Sequence, residues 1–568
     1  MNIKSLIVAI LLSPIYVVGQ INRYVSPTGN NFNSGTLALP YQTIQYALNQ
    51  LTANDTLNVL TGTYTEKITI PLSNIYLRNY LSNLPIIDAT GITSQNSIIS
   101  ITNKSNITVS GLELKNNIQN DAQGILITGS GSNLTIKNCN IHDIHFSSNT
   151  GASINANTNA QGIIVYGTNA TTAITNLKIQ NNKLYNCRLG FSEGIAVNGN
   201  VNGFEVTGNT AYNLTNIGID LIGHEGTCNN PANDQARNGL VKNNTIHHCT
   251  SPYATSGGIY IDGGKAIIVE NNTSYHNGYG IEVGCENIGK TTEAITIRNN
   301  IFYDNQICAI ALGGYDYPSG SGKVINSTIR NNTCYYNDYS NSGNGELYLS
   351  YSENSIIENN IFYTSTQNTL AYAELTQPSL SFNYNTIYVL AGTGSLVNSW
   401  NGSGYTGYSA FVTGSSTNAN SVFNNPLFVT ANITSPNFHL LPISPSINAG
   451  NPLFITATTE VDIDVELRAN NIVDCGADEY YDKTNPTKIT ETAINNQYSV
   501  YPNPCTDFID VKSGAINSEI NIYNIFGQVV FKTLIDTENQ IDIKNLPNGV
   551  YFIRFNNDTK QVLKLIKE

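Results

Sequence analysis

Acidic residues occur at corresponding places in three successive copies of a short phrase in the middle of the sequence. Each copy is a glycine followed by alternating aliphatic residues, the pattern of a strand buried on one side. The copies are GIDLI (218–222), GIYID (258–262) and GIEVG (280–284), with acidic residues Asp220, Asp262 and Glu282. Alternate side chains of a strand share a face, so the phrase predicts carboxylates on one outer surface. Crowded carboxylates raise one another's pKa, so that one can hold a proton while another stays ionised.

The phrase occurs six times, which allows its outward places to be aligned. The other copies are GIIVY (162–166), GIAVN (194–198) and AIALG (309–313). The third places are Ile164, Ala196, Asp220, Tyr260, Glu282 and Ala311, and the fifth places are Tyr166, Asn198, Ile222, Asp262, Gly284 and Gly313. With paired strands ~4.8 Å apart and alternate residues ~6.7 Å apart, Asp262 lies diagonal to Glu282 at ~8 Å between Cα atoms. This separation suits the two carboxyl groups that hydrolyse a glycosidic bond.

Long loops follow these strands and carry further polar residues. Long loops beside a rigid solenoid face usually hold function, so we expect them to bring substrate-binding side chains to the carboxylates. The predicted binding residues are His224, Glu225, Arg237, Tyr260, Lys265, Glu286 and Tyr315. The alternative is that the acidic residues form a solvated or calcium-binding surface without a catalytic role.

A second recurring phrase predicts the scaffold that positions these strands. It reads IQNNKLY, VTGNTAY, VKNNTIH, VENNTSY, IRNNIFY, IRNNTCY and IENNIFY, and its fourth residue is Asn182, Asn209, Asn244, Asn272, Asn300, Asn332 and Asn360. The successive separations are 27, 35, 28, 28, 32 and 28 residues. A β-rich, Asn-rich repeat of this period predicts an all-β parallel β-helix, in which stacked coils bury their apolar faces and the Asn side chains form a ladder.

Composition and charge narrow the class of protein. Only 12% of the residues are charged, and 34 Tyr accompany a single Trp, which is typical of an extracellular β-protein and not of a disordered chain. The net charge of -13 argues against nucleic acid as a partner. Residues 1–19 contain one Lys, then an apolar run that ends in small residues suited to cleavage. This pattern predicts a signal peptide and a secreted or cell-surface location. No other segment is apolar enough to form a transmembrane span.

The remaining chain divides into three parts. The β-helix domain is predicted at 20–480, a polar linker at 481–497 and a terminal domain at 498–568. Apolar residues with helical spacing between Thr43 and Leu51 predict a short N-terminal capping helix, which would cover the open end of the solenoid. A closing segment is expected at about 380–480. The terminal domain alternates short strands with Pro, Asn and Gly turns, so it should be a small β-sandwich.

The terminal domain carries phrases of one family. YPNP (501–504), LPNGVY (546–551) and the final KLIKE (564–568) resemble the C-terminal sorting domain of the type IX secretion system of Bacteroidetes. The resemblance implies export across the outer membrane and makes the type IX secretion machinery a partner. The alternative for a terminal sandwich is adhesive binding.

The strands around Asp262 and Glu282 are similar to those of the right-handed β-helix glycoside hydrolases, the β-xylosidases among them. In that family the matching Asp is the nucleophile and the matching Glu is the general acid/base. The first and last coils also resemble those of secreted, pectin-lyase-like bacterial β-helix proteins, which implies a right-handed coil. This chain has Gly263, Gly264 and Lys265 where the hydrolase family has a Trp-containing context, which leaves the sugar and the stereochemical outcome open.

The sequence therefore predicts a secreted hydrolase of a polysaccharide or oligosaccharide, with Asp262, Glu282 and Asp220 as the catalytic group and no metal or cofactor. One alternative is a pectate- or alginate-type polysaccharide lyase. It would use calcium and a base, Lys265 or Arg237, beside Asp220 and Asp262. Another alternative is a non-catalytic carbohydrate-binding surface protein, because a fold does not fix a function.

Overall fold

The computed structural model describes residues 21–457, 460–468, 470–482, 498–513, 519–524, 527–534, 540–555 and 558–568. The chain forms two compact units, which adjoin in the sequence at Tyr480 and Tyr481. The predicted signal peptide at 1–19 and most of the predicted linker at 481–497 lie outside the described residues. Among the described helices, none is long and apolar enough to cross a membrane.

The first unit is a parallel β-helix, as the repeat predicts. Most coils contribute strands to three faces, here called A, B and C in chain order, and strands of successive coils pair in parallel. Inward-pointing aliphatic side chains fill the space between the faces as one continuous core. A single coil cannot bury this surface alone, so stability comes from the stacking of neighbours.

The strands of the three faces have the following bounds. Face A consists of Asn22–Val25, Thr56–Val59, Ile75–Asn79, Ile107–Ser110, Gly131–Lys137, Ile174–Gln180, Val201–Thr207, Arg237–Lys242, Lys265–Glu270, Thr291–Glu293, Thr296–Arg298, Lys323–Ile325, Thr328–Arg330, Ser352–Glu353, Ile356–Glu358 and Ser381–Asn383. Face B consists of Gly62–Tyr64, Pro85–Asp88, Glu113–Ile118, Asn140–His145, Thr245–Cys249, Thr273–Tyr275, Ile301–Tyr303, Thr333–Tyr335, Ile361–Tyr363, Thr386–Tyr388 and Val422–Phe423. Face C consists of Ile68–Thr69, Ser97–Thr102, Ala122–Thr128, Ala160–Gly167, Gly257–Asp262, Tyr279–Gly284, Cys308–Leu312, Leu347–Leu349, Thr369–Ala373, Val397–Trp400 and Ser403–Thr406. Two long strands continue from face B into face C, Lys183–Gly199 and Thr210–Ile222.

Asparagine side chains hold the corner between faces A and B. In each step, Oδ1 of one Asn accepts hydrogen bonds of 2.9–3.0 Å from the backbone N–H and from Nδ2 of the Asn one coil earlier. The ladder runs through the seven predicted residues, from Asn182 to Asn360, and continues to Asn385. Every member is buried. The ladder therefore fixes how each coil sits on the next.

Replacing Asn272 by Ala should lower the free energy of unfolding of the β-helix by about 2–4 kcal/mol, because buried N–H groups lose their acceptor. Oδ1 of Asn272 accepts from the backbone and the side chain of Asn244 at 2.9 Å. Denaturant unfolding measures the change. Asn420→Ala is the matched control, since the Asn420 side chain is exposed, and it should leave the free energy unchanged. Equal changes in the free energy of unfolding for the two substitutions would contradict a stabilising role of the ladder.

A short helix, Ile44–Asn49, covers the N-terminal end of the solenoid. It buries Ile44, Ala47 and Leu48, the residues whose spacing predicted it. The carboxylate of Glu66 accepts hydrogen bonds of 2.7 and 2.9 Å from two backbone N–H groups at the helix start. This arrangement satisfies donors that have no partner within the helix.

The closing segment covers the far end of the solenoid and parts of faces A and B. The helix Tyr408–Ser415 places Phe411 against the core. The hairpin of Phe428–Thr430 and Asn437–Leu440 packs on tyrosines of face B. A 3-10 helix, Thr393–Ser395, precedes both. On face A, the fully buried Glu460 accepts charged hydrogen bonds from two arginines of successive coils, Arg298 and Arg330.

The second unit contains two antiparallel sheets around an apolar core of its own, in agreement with the predicted sandwich. One sheet consists of Tyr498–Tyr501, Phe508–Ser513 and Gln540–Asp542. The other consists of Val529–Leu534, Glu519–Tyr523, Gly549–Phe555 and Asp558–Lys567.

Candidate active site

Face C carries the two columns of outward residues in the predicted register. Backbone pairing aligns Asp220 with Tyr260 and Tyr260 with Glu282. In the neighbouring column, Asp262 aligns with Gly284. The aliphatic residues between these places are buried in the core. The strands therefore present all three predicted carboxylates on one side of the sheet, as the alternation predicts.

A groove of about 900 Å³ lies over face C. Its lining comes from five successive strands, which are Ala122–Thr128, Ala160–Gly167, Lys183–Gly199, Thr210–Ile222 and Gly257–Asp262, with Asn96 and Glu286 from the coils on either side. Loops that connect the faces contribute to its walls. Six acidic residues line it, and these are Asp121, Glu193, Asp220, Glu225, Asp262 and Glu286. The described lining contains no Lys, Arg or His.

Two buried carboxyl groups at the C-terminal half of the groove have unlike surroundings. Asp220 is 3% exposed and Asp262 is 4% exposed. Asp262 accepts a hydrogen bond of 2.7 Å from the backbone N–H of Glu286, which favours its charged form. Oδ1 of Asp220 has no hydrogen-bond partner among the described residues. One carboxylate oxygen of Asp220 is therefore without a donor, which favours the neutral form of this group.

Burial and mutual repulsion raise the pKa values of this cluster. Burial raises the pKa of Asp220 well above its usual range, the charges of Glu193 and Asp262 raise it further, and a backbone hydrogen bond from Leu221 lowers it. Burial and the charge of Glu286 raise the pKa of Asp262, while the backbone hydrogen bond from Glu286 lowers it. Burial raises the pKa of Glu193 to about 8, with added repulsion from Glu286 and Glu225. The cluster can therefore hold protons near neutral pH, as a general acid must.

The ring of Tyr260 lies between Asp262 and Glu282. On their two paired strands, Asp262 is diagonal to Glu282, and Tyr260 is diagonal to Gly284. The ring covers Gly284, where an added Cβ would lie 3.1 Å from Oη of Tyr260, and the hydroxyl donates a hydrogen bond of 3.4 Å to Glu286. Glu282 lies outside the described lining of the groove. This corrects the expectation that Glu282 shares the groove with Asp262, because a side chain crosses the diagonal that joins them.

Arg237 and Lys265 lie on face A and not in the groove. Only two glycines separate Asp262 from Lys265, so the chain has already turned the corner when it reaches the lysine. Arg237 and Lys265 pair in register at the starts of their strands, and Lys265 forms an ion pair with Glu293 of the next coil. The expectation that these bases stand beside the carboxylate cluster is therefore corrected.

The other predicted binding residues divide into two groups. Glu225, Tyr260 and Glu286 line the groove. His224 and Tyr315 lie outside its described lining. Nε2 of His224 is 3.3 Å from a backbone carbonyl of face A, and Tyr315 is 69% exposed in the loop after a later strand. These two residues follow strands of face C in the sequence, but their side chains do not line the groove.

Sequence reasoning missed Glu193 and the amide side chains around it. Glu193 comes directly before the glycine of its phrase, one place ahead of the columns that were aligned. In the two preceding coils this place holds Gln161 and Gln123, and all three line the groove. An alignment of the place before each glycine would have found them.

Two groups of side chains have the geometry to hold a metal ion. Glu225, Asp262 and Glu286 of the groove each offer a carboxylate oxygen, and these oxygens lie within 4.8 Å of one another. Such oxygens are the ligands that calcium prefers. The second group lies in the closing segment and consists of His439, Asp464 and Asp478.

Comparison with known proteins identifies the class of both units. Residues 225–334 match the family described as right handed beta helix region, and residues 499–568 match the secretion system C-terminal sorting domain. The chain is therefore a right-handed β-helix protein with a type IX sorting domain, which marks it as secreted or displayed on the cell surface.

The chain belongs to the same family as the uncharacterized protein YwoF of Bacillus subtilis (strain 168), with 32% identity over 78% of this chain and 97% of YwoF. Among solved structures, pectate lyase Pel9A is similar at a TM-score of 0.43 and 16% identity, covering 82% of this chain and 98% of that one. The A-module of mannuronan C-5 epimerase AlgE6 of Azotobacter vinelandii is similar at a TM-score of 0.48 and 14% identity, covering 67% and 94%.

The raised pKa of Glu193 predicts that the β-helix loses stability as the pH rises. Its pKa is about 8 in the folded protein and about 4.3 in an unfolded chain. The stabilisation is complete below the unfolded value and is lost as the pH rises through the folded value. The melting temperature should therefore fall between about pH 5 and pH 8, and Glu193→Gln should flatten the fall. Glu374→Gln is the control, because Glu374 is exposed. Equal slopes of melting temperature against pH for Glu193→Gln and Glu374→Gln would refute the expectation.

Proposed function

We propose that this protein is a secreted glycoside hydrolase that cleaves a polysaccharide or oligosaccharide in the groove over face C. The observation that carries the proposal is the pair of buried groove carboxyl groups, Asp220 and Asp262, with unlike hydrogen-bond partners. Hydrolysis of a glycosidic bond needs one carboxylic acid and one carboxylate. The proposal requires no cofactor.

The two residues take different roles in this proposal. Asp262, whose charge is stabilised by a backbone N–H, attacks the anomeric carbon or removes a proton from the attacking water. Asp220 gives its proton to the leaving glycosidic oxygen as the C–O bond breaks. If Asp262 attacks, a water deprotonated by Asp220 then breaks the bond between the sugar and Asp262. If Asp262 instead takes the proton of the water, that proton returns to Asp220 through solvent. Either route consumes one water molecule and leaves both residues in their starting states. Asp220 and Asp262 lie diagonally on paired strands, ~8 Å apart between Cα atoms.

This assignment moves the role of the acid from Glu282 to Asp220. The resemblance to β-helix glycoside hydrolases implies Glu282, but the ring of Tyr260 lies between Glu282 and the groove carboxylates. The charges of four neighbouring residues then raise the pKa of the reacting pair, and these are Glu193, Glu225, Glu282 and Glu286. The hydroxyl of Tyr260 lies where it can contact the substrate.

The charge of the groove favours a neutral glycan. Six carboxyl groups line it, and its described lining contains no basic residue. A uronate polymer carries a carboxylate on each sugar, so it would meet like charge wherever a groove carboxyl group is ionised and would find no basic partner in the described lining. A neutral glycan avoids this repulsion and offers hydroxyl groups to the acceptors.

One observation favours a second candidate, a polysaccharide lyase. The oxygens of Glu225, Asp262 and Glu286 fit a divalent cation, and calcium bound there would neutralise a uronate carboxylate. A lyase also needs a base, and the predicted bases, Lys265 and Arg237, lie on face A. This candidate therefore ranks second.

Asp262→Asn and Asp220→Asn should each lower kcat/KM by at least about 100-fold, with no fall in the melting temperature, since the amides relieve repulsion. For Asp220→Asn the loss should shrink on an aryl glycoside, whose leaving group departs without a proton. Release of reducing ends from a panel of plant and algal polysaccharides measures activity. Glu282→Gln is the matched control in the same column and should keep its activity.

The same three variants can overturn the assignment. Suppose that Glu282→Gln lowers kcat/KM, that this loss shrinks on an aryl glycoside, and that Asp220→Asn shows neither effect. Glu282 is then the acid. Full activity of both Asp variants would end the proposal of a hydrolase at this site. Binding of a glycan by the wild type without new reducing ends would favour a non-catalytic binding protein.

A chelator separates the hydrolase from the lyase. Cleavage by the hydrolase should continue in excess EDTA, because neither proton transfer nor attack by Asp262 needs a cation. Its products should lack the ultraviolet absorbance of an unsaturated uronate. Cleavage that stops in EDTA, returns with calcium and yields this absorbance would identify the lyase.

A further inference from the structure

Buried acceptor oxygens without partners occur on four successive strands of the groove. They belong to side chains between 3% and 7% exposed, on the outer side of face C, and they are Oε1 of Gln123, Oε1 of Gln161, Oδ1 of Asn198 and Oδ1 of Asp220. Gln123 and Gln161 pair in register, whereas Asn198 and Asp220 lie five and three places further along their strands. All four residues line the groove. A buried acceptor without a donor is unfavourable, so four at one site indicate a missing partner.

The orientation of Gln161 is set by its neighbours. Its Nε2 donates a hydrogen bond of 2.9 Å to Oγ of Ser192. The hydroxyl of Ser192 in turn donates to Oδ1 of Asn159 at 3.0 Å, so Ser192 must accept from the amide nitrogen of Gln161. The amide oxygen of Gln161 is thereby left for a ligand.

The described lining of the groove contains three aromatic residues, Tyr166, Phe191 and Tyr260, of which Phe191 is the exposed one. Phe191 lines the groove and is 40% exposed. Its ring is held edge to face by Tyr253, with centroids 5.2 Å apart. A half-exposed ring beside hydrogen-bond acceptors suits a ligand that has both apolar C–H groups and hydroxyl donors.

We propose that Gln123, Gln161, Asn198 and Phe191 form binding subsites for an extended neutral glycan, which lies along the solenoid axis from the N-terminal coils to Asp220 and Asp262. This inference rests on the proposed hydrolase function and names its substrate class. Hydroxyl groups of the glycan donate to the unpartnered oxygens. Uronate carboxylates accept hydrogen bonds and cannot serve these acceptors, and the acidic side chain of Asp121 disfavours them.

The position of the carboxyl pair makes the subsites unequal on its two sides. The five strands of the groove span four intervals of ~4.8 Å, or ~19 Å. Asp220 and Asp262 lie on the last two of these strands. Most of the groove therefore lies on the N-terminal side of the bond that is cleaved. Affinity should rise with chain length until this side is filled.

Affinity electrophoresis of the full-length Asp262→Asn protein tests the inference without hydrolysis. Gels contain soluble xylan, β-glucan, galactan or agarose as neutral probes, and polygalacturonate or alginate as acidic probes. At least one neutral probe should retard the protein. Adding Gln123→Leu or Gln161→Leu should weaken that retardation about 3- to 10-fold in Kd. The loss should grow with the length of a competing oligosaccharide.

Thermal unfolding distinguishes a binding role from a structural role. Gln123→Leu removes an unpartnered buried acceptor, so its melting temperature should equal or exceed that of the parent. Gln377→Leu is the matched control, because Gln377 is also buried and its amide is hydrogen-bonded to the backbone N–H of Ser352 and the backbone carbonyl of Leu375. It should lower the melting temperature and leave the retardation unchanged.

The outcomes separate this inference from the proposed function. Retardation by acidic probes alone, retardation by none of the probes, or unchanged retardation in both Gln→Leu variants would overturn the subsites, even if the wild type hydrolyses a glycan. Weakened retardation in the Gln→Leu variants would support the subsites, even if the wild type fails to cleave the retarding glycan. In that case only the hydrolase proposal falls.

Discussion

The alignment of each coil on the next is the constraint on which the site depends. A slip of one residue would turn every outward side chain of a strand inward. The Asn ladder resists such a slip, because each Asn binds both the backbone and the side chain of its neighbour. The repeat varies from 27 to 35 residues, and the added residues lie in loops between the faces. The coils can thus carry different loops while the columns on face C stay in register.

The columns of face C could be predicted from the sequence because they follow from backbone geometry alone. A glycine, an alternating strand and a ladder residue in each coil were enough to align Asp220, Tyr260 and Glu282. The course of a side chain over this surface could not be predicted in the same way. Tyr260 lies over Gly284, which has no side chain to oppose it, and this placement divides a carboxylate pair that the backbone alone would join.

The direction of side chains at the corners between the faces was the second feature that the sequence did not predict. A corner of two glycines carries the chain from Asp262 on face C to Lys265 on face A, so neighbours in the sequence face different directions. At the other end of the strand, alternation also stops. Glu193 and the buried glycine after it do not extend the alternating pattern, yet Glu193 lines the groove. The alternation of inward and outward residues therefore predicted side-chain directions only between the two ends of a strand.

Two features of the groove destabilise the fold, and the stability of the β-helix offsets them. Like charges meet at Glu193, Asp220 and Asp262, and acceptors on four successive strands lack donors. Neither feature stabilises the fold, and the strands beneath are held by the ladder and a continuous core. A ligand that donates hydrogen bonds and carries no negative charge relieves the second feature without worsening the first. A neutral glycan meets both conditions, whereas a polyuronate donates through its hydroxyl groups but adds negative charge to the groove.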